Sequence, residues 1–212
     1  MLESTSRTHY DQTNRQALIR EIQKARSQTS GIIGVNIMVA LSDFDSLVLG
    51  AVDQKVDIIF LGAGLPLHFP AELPPERLRN METAIVPIVS SAKAATLILK
   101  YWTKRFKRIP DGFVVEGPMA GGHLGFTLEQ IDNPDYALHR LVPEVLTAVA
   151  PYEQTWAQNI PVIAAGGVYT GADIHDFLQL GAQGVQLGTR FVATEECDAD
   201  IRFKQAFLQA KQ

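Results

Sequence analysis

Pro161-Val162-Ile163-Ala164-Ala165-Gly166-Gly167-Val168 and, one helical segment further on, Gly184-Val185-Gln186-Leu187-Gly188-Thr189-Arg190 follow one plan. Each carries a short apolar run into a glycine turn. Continuous runs rich in Val and Ile read as parallel strands covered on both faces. Glycine turns expose backbone N–H groups, and with the Thr189 hydroxyl they can cradle a phosphate dianion. Either turn alone is an ordinary structural turn; two on consecutive strand ends point to a phosphate site. Their late position decides between two architectures. An open doubly wound sheet places its phosphate turn after the first strand, and Gly34-Val35-Asn36 is no such fingerprint. A (β/α)₈ barrel binds phosphate at the loops after its last two strands.

Working outward, the other apolar runs are Ile32–Val39, Val56–Gly62, Ala84–Val89 and Gly112–Glu116, besides Pro161–Ala165 and Gly184–Leu187. Helical periodicity fills the intervals. Asn14–Arg26 sets Leu18, Ile19 and Ile22 on one face, and Asp43–Val52 follows Ser42 as expected N-cap. Ala92–Trp102, Tyr136–Thr155, Ala172–Leu180 and Asp200–Lys211 complete the set. Tyr136–Thr155 reads as one helix or as two broken near Pro151, and Gly181 is a glycine stop for the helix before it. Alternating β and α implies a parallel α/β fold, here six strands of a (β/α)₈ TIM barrel with their helices, in one domain over residues 1–212.

Composition bounds the function. The chain has 212 residues, 46% hydrophobic and 20% charged, with a net charge of −4. That balance argues against nucleic acid as a partner, and Lys104-Arg105-Phe106-Lys107-Arg108 reads as a solvated helix end. Cys197 is the single cysteine, so no intrachain disulfide or cysteine-rich zinc site is expected; its acidic neighbours Glu195, Glu196 and Asp198 disfavour a reactive thiolate. His9, His68, His139 and His175 lack metal spacing, and no metal is expected; His68 follows a strand and borders the pocket rim. Trp102 and Trp156 read as packing residues. No apolar stretch is long enough for a membrane span or a signal core, so the expected location is cytoplasmic.

The chemistry-bearing stretch is Glu116-Gly117-Pro118-Met119-Ala120-Gly121-Gly122-His123-Leu124-Gly125. A strand ends in a glycine turn that presents one imidazole, a candidate proton-handling group. This run, with Ile160–Gly167 and Gly184–Phe191 at their spacing, resembles the nitronate monooxygenases, formerly called 2-nitropropane dioxygenases. The related enoyl-acyl-carrier-protein reductases share much of the motif set. The resemblance covers essentially the whole chain. It implies a (β/α)₈ barrel holding FMN at the C-terminal strand ends. Gly166, Gly167 and the run Gln186, Leu187, Gly188 and Thr189 would then hold the phosphate. Asn36, Glu116, Gly121 and Gly122 would lie along the flavin and its ribityl chain, and His123 would be the catalytic residue beside the substrate.

Two positions depart from the pattern. Many members carry Gln where this chain has Glu116, and a carboxylate there disfavours an anionic reduced flavin unless it is protonated or paired. Near Ser90 and Ser91 some relatives place a lysine that reaches the cofactor, whereas Lys93 lies further along the helix. Length is the third difference. A full barrel runs to about 250 residues, and the six runs match its third to eighth strands. Met1 would then correspond to an internal position, and the expectation is a fragment that also lacks a C-terminal substrate-covering segment.

The resemblance implies an FMN-dependent enzyme that oxidises alkyl nitronates with O₂ to a carbonyl compound and nitrite. The partners would be that small anion and O₂, with room for a homo-oligomer. The alternatives are an FMN-dependent enoyl-acyl-carrier-protein reductase and a truncated, non-catalytic flavin or phosphate binder.

Overall fold

Six parallel strands form one sheet in the computed structural model, which describes residues 7–210. They are β1 (Gly34–Met38), β2 (Ile58–Gly62), β3 (Ala84–Val89), β4 (Phe113–Glu116), β5 (Val162–Ala165) and β6 (Gly184–Gln186). Each pairs with the next in chain order, from β1 through to β6. A doubly wound sheet would reverse that order at a switch point. Unbroken order is the arc of a (β/α)₈ barrel. The molecule is a half-barrel of that fold, as the late glycine turns imply.

The pleat sorts side chains by alternation. Ile59, Leu61, Ile85, Val89, Phe113, Val115, Val162 and Ala164 face outward into one core beneath the helices. Val86, Val114 and Ala165 face inward with Ile58, Phe60, Ile88 and Ile163, lining the concave side. Register sets three polar residues on that apolar inner face. Asn36 pairs with Phe60, while Glu116 and Gln186 both pair with Ala165.

The helices cover the outer face. Helix α1 is Arg7–Gln28, longer than the Asn14–Arg26 periodicity suggests, and α2 is Phe44–Asp53. The N-cap of α2 is Asp43 rather than Ser42; the Asp43 carboxylate accepts from the Asn14 amide at 2.8 Å and so ties α2 to α1. Then come α3 (Pro75–Arg79), α4 (Ala92–Arg105), α5 (Leu128–Ile131) and α6 (Leu138–Trp156). Helix α6 is continuous through Pro143 and Pro151. Each proline removes one helical donor, but Leu141, Val142, Val145 and Val149 bury one face against α4, β4 and β5 and hold the axis. Helix α7 (Gly171–Gln179) stops at Gly181, φ +100°, where the Gly181 and Ala182 N–H groups donate to Leu178 and Phe177 carbonyls. Helices α8 (Thr189–Val192) and α9 (Ile201–Gln209) follow β6. Of the expected Asp200–Lys211 helix, Lys211 lies outside the described residues. Helices α3, α5 and α8, too short to show a period, went unread in the sequence.

At the N-terminal strand ends, one device recurs on alternate strands. The residue shortly before an even-numbered strand accepts from an N–H just before or at the start of the strand preceding it. Asp57 takes Ile33 N–H at 2.8 Å, Asp111 takes Ile85 N–H at 2.7 Å, and Gln183 takes Val162 N–H at 2.7 Å. These ties fix the bottom of the arc and leave its C-terminal rim to the loops.

Candidate functional site

Two clefts on the C-terminal rim gather most of the sequence-read residues. The first, about 620 Å³, lies between the loops after β4, β5 and β6. Glu116, Gly121, Gly166, Gly167, Gln186, Gly188 and Thr189 all line it. Gly166 and Gly167 adopt φ +97° and +79°, conformations an L side chain rarely takes. A Cβ on Gly166 would stand 2.9 Å from the Ala120 nitrogen, and one on Gly167 would stand 3.0 Å from Met119 Sδ. Among the described residues, the backbone N–H groups of Gly166, Gly167 and Gly188 find no acceptor. Free donors on a glycine-lined wall suit an anion. The β5 loop is fixed from below by Asp173 of α7, whose carboxylate accepts from Tyr169 N–H at 3.0 Å and Thr170 N–H at 2.7 Å. Those two backbone donors hold the Asp173 carboxyl below the usual carboxylate range.

The second cleft, about 350 Å³, lies between the loops after β2, β3 and β4. Leu65, Ile88 and Leu124 give it apolar walls; His123, Glu116 and Ser90 are its polar groups. His123 is exposed on the β4 loop, with no hydrogen-bond or ion-pair partner among the described residues. That loop seats closely on the end of β3. A Cβ on Gly125 would meet Ser90 Oγ at 2.3 Å, and the Ser90 hydroxyl donates to the Gly125 carbonyl at 3.4 Å. Gly125 is therefore a glycine for close approach, two positions beyond the imidazole.

Glu116 lines both clefts. Its side chain is half-buried and, among the described residues, has neither hydrogen-bond nor ion-pair partner, and burial pushes its carboxyl above the usual range.

Most sequence-read residues converge on this rim, and three stand apart. Asn36 is exposed on β1, at the edge of the arc, and lines neither cleft. Leu187 turns its side chain to the outer core. Gly122, φ +87°, lies in the exposed turn between the clefts without lining either. The structure adds residues that sequence reasoning passed over. The Arg190 guanidinium sits 4.6 Å over the Tyr169 ring, both line the larger cleft, and among the described residues no carboxylate pairs with Arg190. Arg190 directly follows Thr189, which was the available signal; Tyr169 gave none. Among the described residues no cluster of His, Cys, Asp or Glu could hold a metal ion, and no helix is long and apolar enough to cross a membrane.

Comparison with known proteins follows this geometry. The family model "Nitronate monooxygenase" matches residues 8–212. The chain belongs to the nitronate monooxygenase family. A probable nitronate monooxygenase of Bacillus subtilis is 31% identical over 162 residues, covering 75% of this chain and 42% of that protein. A hydroxy-methyl-oxo-octahydro-indene-carboxyl-CoA dehydrogenase of Mycobacterium tuberculosis is 29% identical over 193 residues, covering 91% of this chain and 47% of that protein. Among solved structures, FabK from Thermotoga maritima superposes with a TM-score of 0.73 at 30% identity, over 93% of this chain and 54% of that one. Nitroalkane oxidase from Streptomyces ansochromogenes, at 24% identity and a TM-score of 0.70, shares the fold. This nitronate monooxygenase family chain thus spans less than half the length of those two curated relatives.

Proposed function

We propose that this chain carries the FMN-binding half of a flavin-dependent oxidoreductase that oxidises alkyl nitronates with O₂ to a carbonyl compound and nitrite. One observation carries the reading. A glycine-lined cleft with free N–H donors stands beside a smaller cleft bearing a lone imidazole, and Glu116 lines both. The residues fit the cofactor. A Cβ on Gly188 would meet nothing within 4 Å, so the backbone there is open to a ligand. Gly166, Gly167, Gly188 and Thr189 would hold the phosphate, and Glu116, Gly121 and Gln186 would lie along the flavin. Asn36 and Gly122 would complete its surroundings and Leu187 would contribute backbone only. When bound, the flavin supplies the electron chemistry. His123 would orient the nitronate anion by donating from its imidazole, or take the α-proton of a neutral nitroalkane. Leu65, Ile88 and Leu124 would receive the alkyl group and exclude water.

The direct test is a spectrum and a substitution. The purified chain should bind FMN stoichiometrically, and propyl nitronate should release nitrite. His123→Asn should lower turnover by about a hundredfold or more with FMN still bound. Unchanged turnover would remove His123 from the chemistry, and a chain that binds no flavin would favour the non-catalytic reading.

The likeness to FabK over 93% of this chain supports a second reading, reduction of an enoyl thioester by a nicotinamide donor at the same clefts. NAD(P)H oxidation with crotonyl thioester, run beside nitrite release, separates the two.

A further inference from the structure

We propose that Glu116 is a proton-holding residue that couples flavin binding to proton uptake, its carboxyl being neutral whenever the cofactor cleft is filled. The inference rests on the flavin reading of that cleft and goes beyond it. It starts from position. Glu116 is the last residue of β4 and pairs with Ala165 on β5, and alternation sets it on the inner face with Val114. It is the one residue common to the linings of the two rim clefts. A ligand reaching from the glycine cradle toward His123 must pass over it.

Its surroundings offer little to hold a charge. The flanking strands present Ile88, Val89 and Ala165, none of which titrates. The smaller cleft adds His123 and the Ser90 hydroxyl, and the larger adds Tyr169 and Arg190. None of them bonds or pairs with Glu116, and Arg190 is instead stacked on Tyr169. A half-buried carboxylate without a donor is costly, and burial already raises its affinity for a proton. A flavin laid across it would strip the remaining water and leave a ring system and a phosphate that gain nothing from a nearby negative charge. The carboxylic acid, by contrast, can donate a hydrogen bond to a ring acceptor. Binding therefore raises the Glu116 pKa further. Linkage then requires proton uptake on binding, and flavin affinity that falls as pH rises through the free-protein value.

Titration calorimetry on the full chain tests this without any turnover. Riboflavin and FMN are each bound near pH 6 in two phosphate-free buffers of different ionisation enthalpy. Riboflavin removes the cofactor phosphate as a source of protons. Expected for the wild type is uptake of a substantial fraction of one proton with either flavin. Riboflavin affinity should fall by about tenfold for each unit by which binding moves the carboxyl pKa. Glu116→Gln, and Glu116→Ala as a second variant, should bind riboflavin with no uptake and a flat pH profile. His123→Asn should retain the uptake, separating Glu116 from the imidazole. The proposal is overturned if the wild type takes up no proton with riboflavin. It is equally overturned if uptake survives both Glu116 variants or vanishes in His123→Asn. Absence of flavin binding by the wild type overturns the cofactor reading itself, and this proposal with it; uptake-free binding overturns this proposal alone.

Discussion

Gly167 shows how much of the rim is decided by single residues. Its φ of +79° strains any L side chain, and a Cβ there would press on the Met119 side chain. Gly167→Ala should cost about 1–3 kcal/mol of backbone strain, read as weaker FMN affinity with little change in helix content by circular dichroism. Arg190 makes the complementary prediction. If its unpaired guanidinium meets the cofactor phosphate, Arg190→Ala should weaken FMN about tenfold or more and leave riboflavin unchanged; equal losses for both flavins would assign it to packing. Legibility in the sequence differed between these two. Gly166-Gly167 stood out in the sequence because a second glycine turn, Gly188-Thr189, follows on the next strand end. The Tyr169–Arg190 stack did not, because it joins loops from different strands and nothing in local spacing announces it. Ser90 was read only as a site that lacks a lysine; its seat against Gly125 is a distance between loops after β3 and β4, invisible along the chain.

At the scale of elements, strands and their stops were legible and short helices were not. The apolar runs located all six described strands because each packs an apolar outer face beneath the helices, and Gly181 marked the end of α7. Pro151 left one helix or two open in the sequence, and the structure makes one. Its missing donor is a local cost, and the apolar face of α6 against α4, β4 and β5 outweighs it. The ties below the strands were also unread, since an Asp before a strand is usual for a turn. Their pH behaviour is specific. The Ile33 N–H and the Arg26 guanidinium, at 2.7 Å, hold the Asp57 carboxyl below its ordinary range. A depressed carboxyl contributes stability above the unfolded value, and that contribution is lost as pH falls through the folded one. Asp57→Asn should therefore lower the urea midpoint at neutral pH, with the gap to wild type closing as pH falls below about 4. A gap that stays constant into acid would show that shape, not charge, makes the tie.

For the whole molecule, the packed apolar mass lies in the outer core, and the polar residues of the candidate site lie on the inner face and rim. Trp102 stands for the first. It is fully buried on α4, edge-on to Phe69 and Phe106, and its indole N–H donates to the Pro66 carbonyl at 2.8 Å. Trp102→Ala should cost about 3–5 kcal/mol in denaturant unfolding, and Trp102→Phe less, the remainder reporting the Pro66 carbonyl left without its donor. Sequence reasoning reached the barrel from the order of its glycine turns, and the unbroken strand order agrees with it. That order has a bearing on synthesis. Every strand after β1 pairs with the one made just before it, so a chain leaving the ribosome can lay each new strand on a finished edge without waiting for a distant partner. The last and shortest is β6, three residues long, and it delivers Gly188, Thr189 and Arg190 to the rim. A nascent chain halted before β6 would already hold most of the outer core yet lack Gly188, Thr189 and Arg190, so an anion cradle on this rim would close only once β6 is laid down.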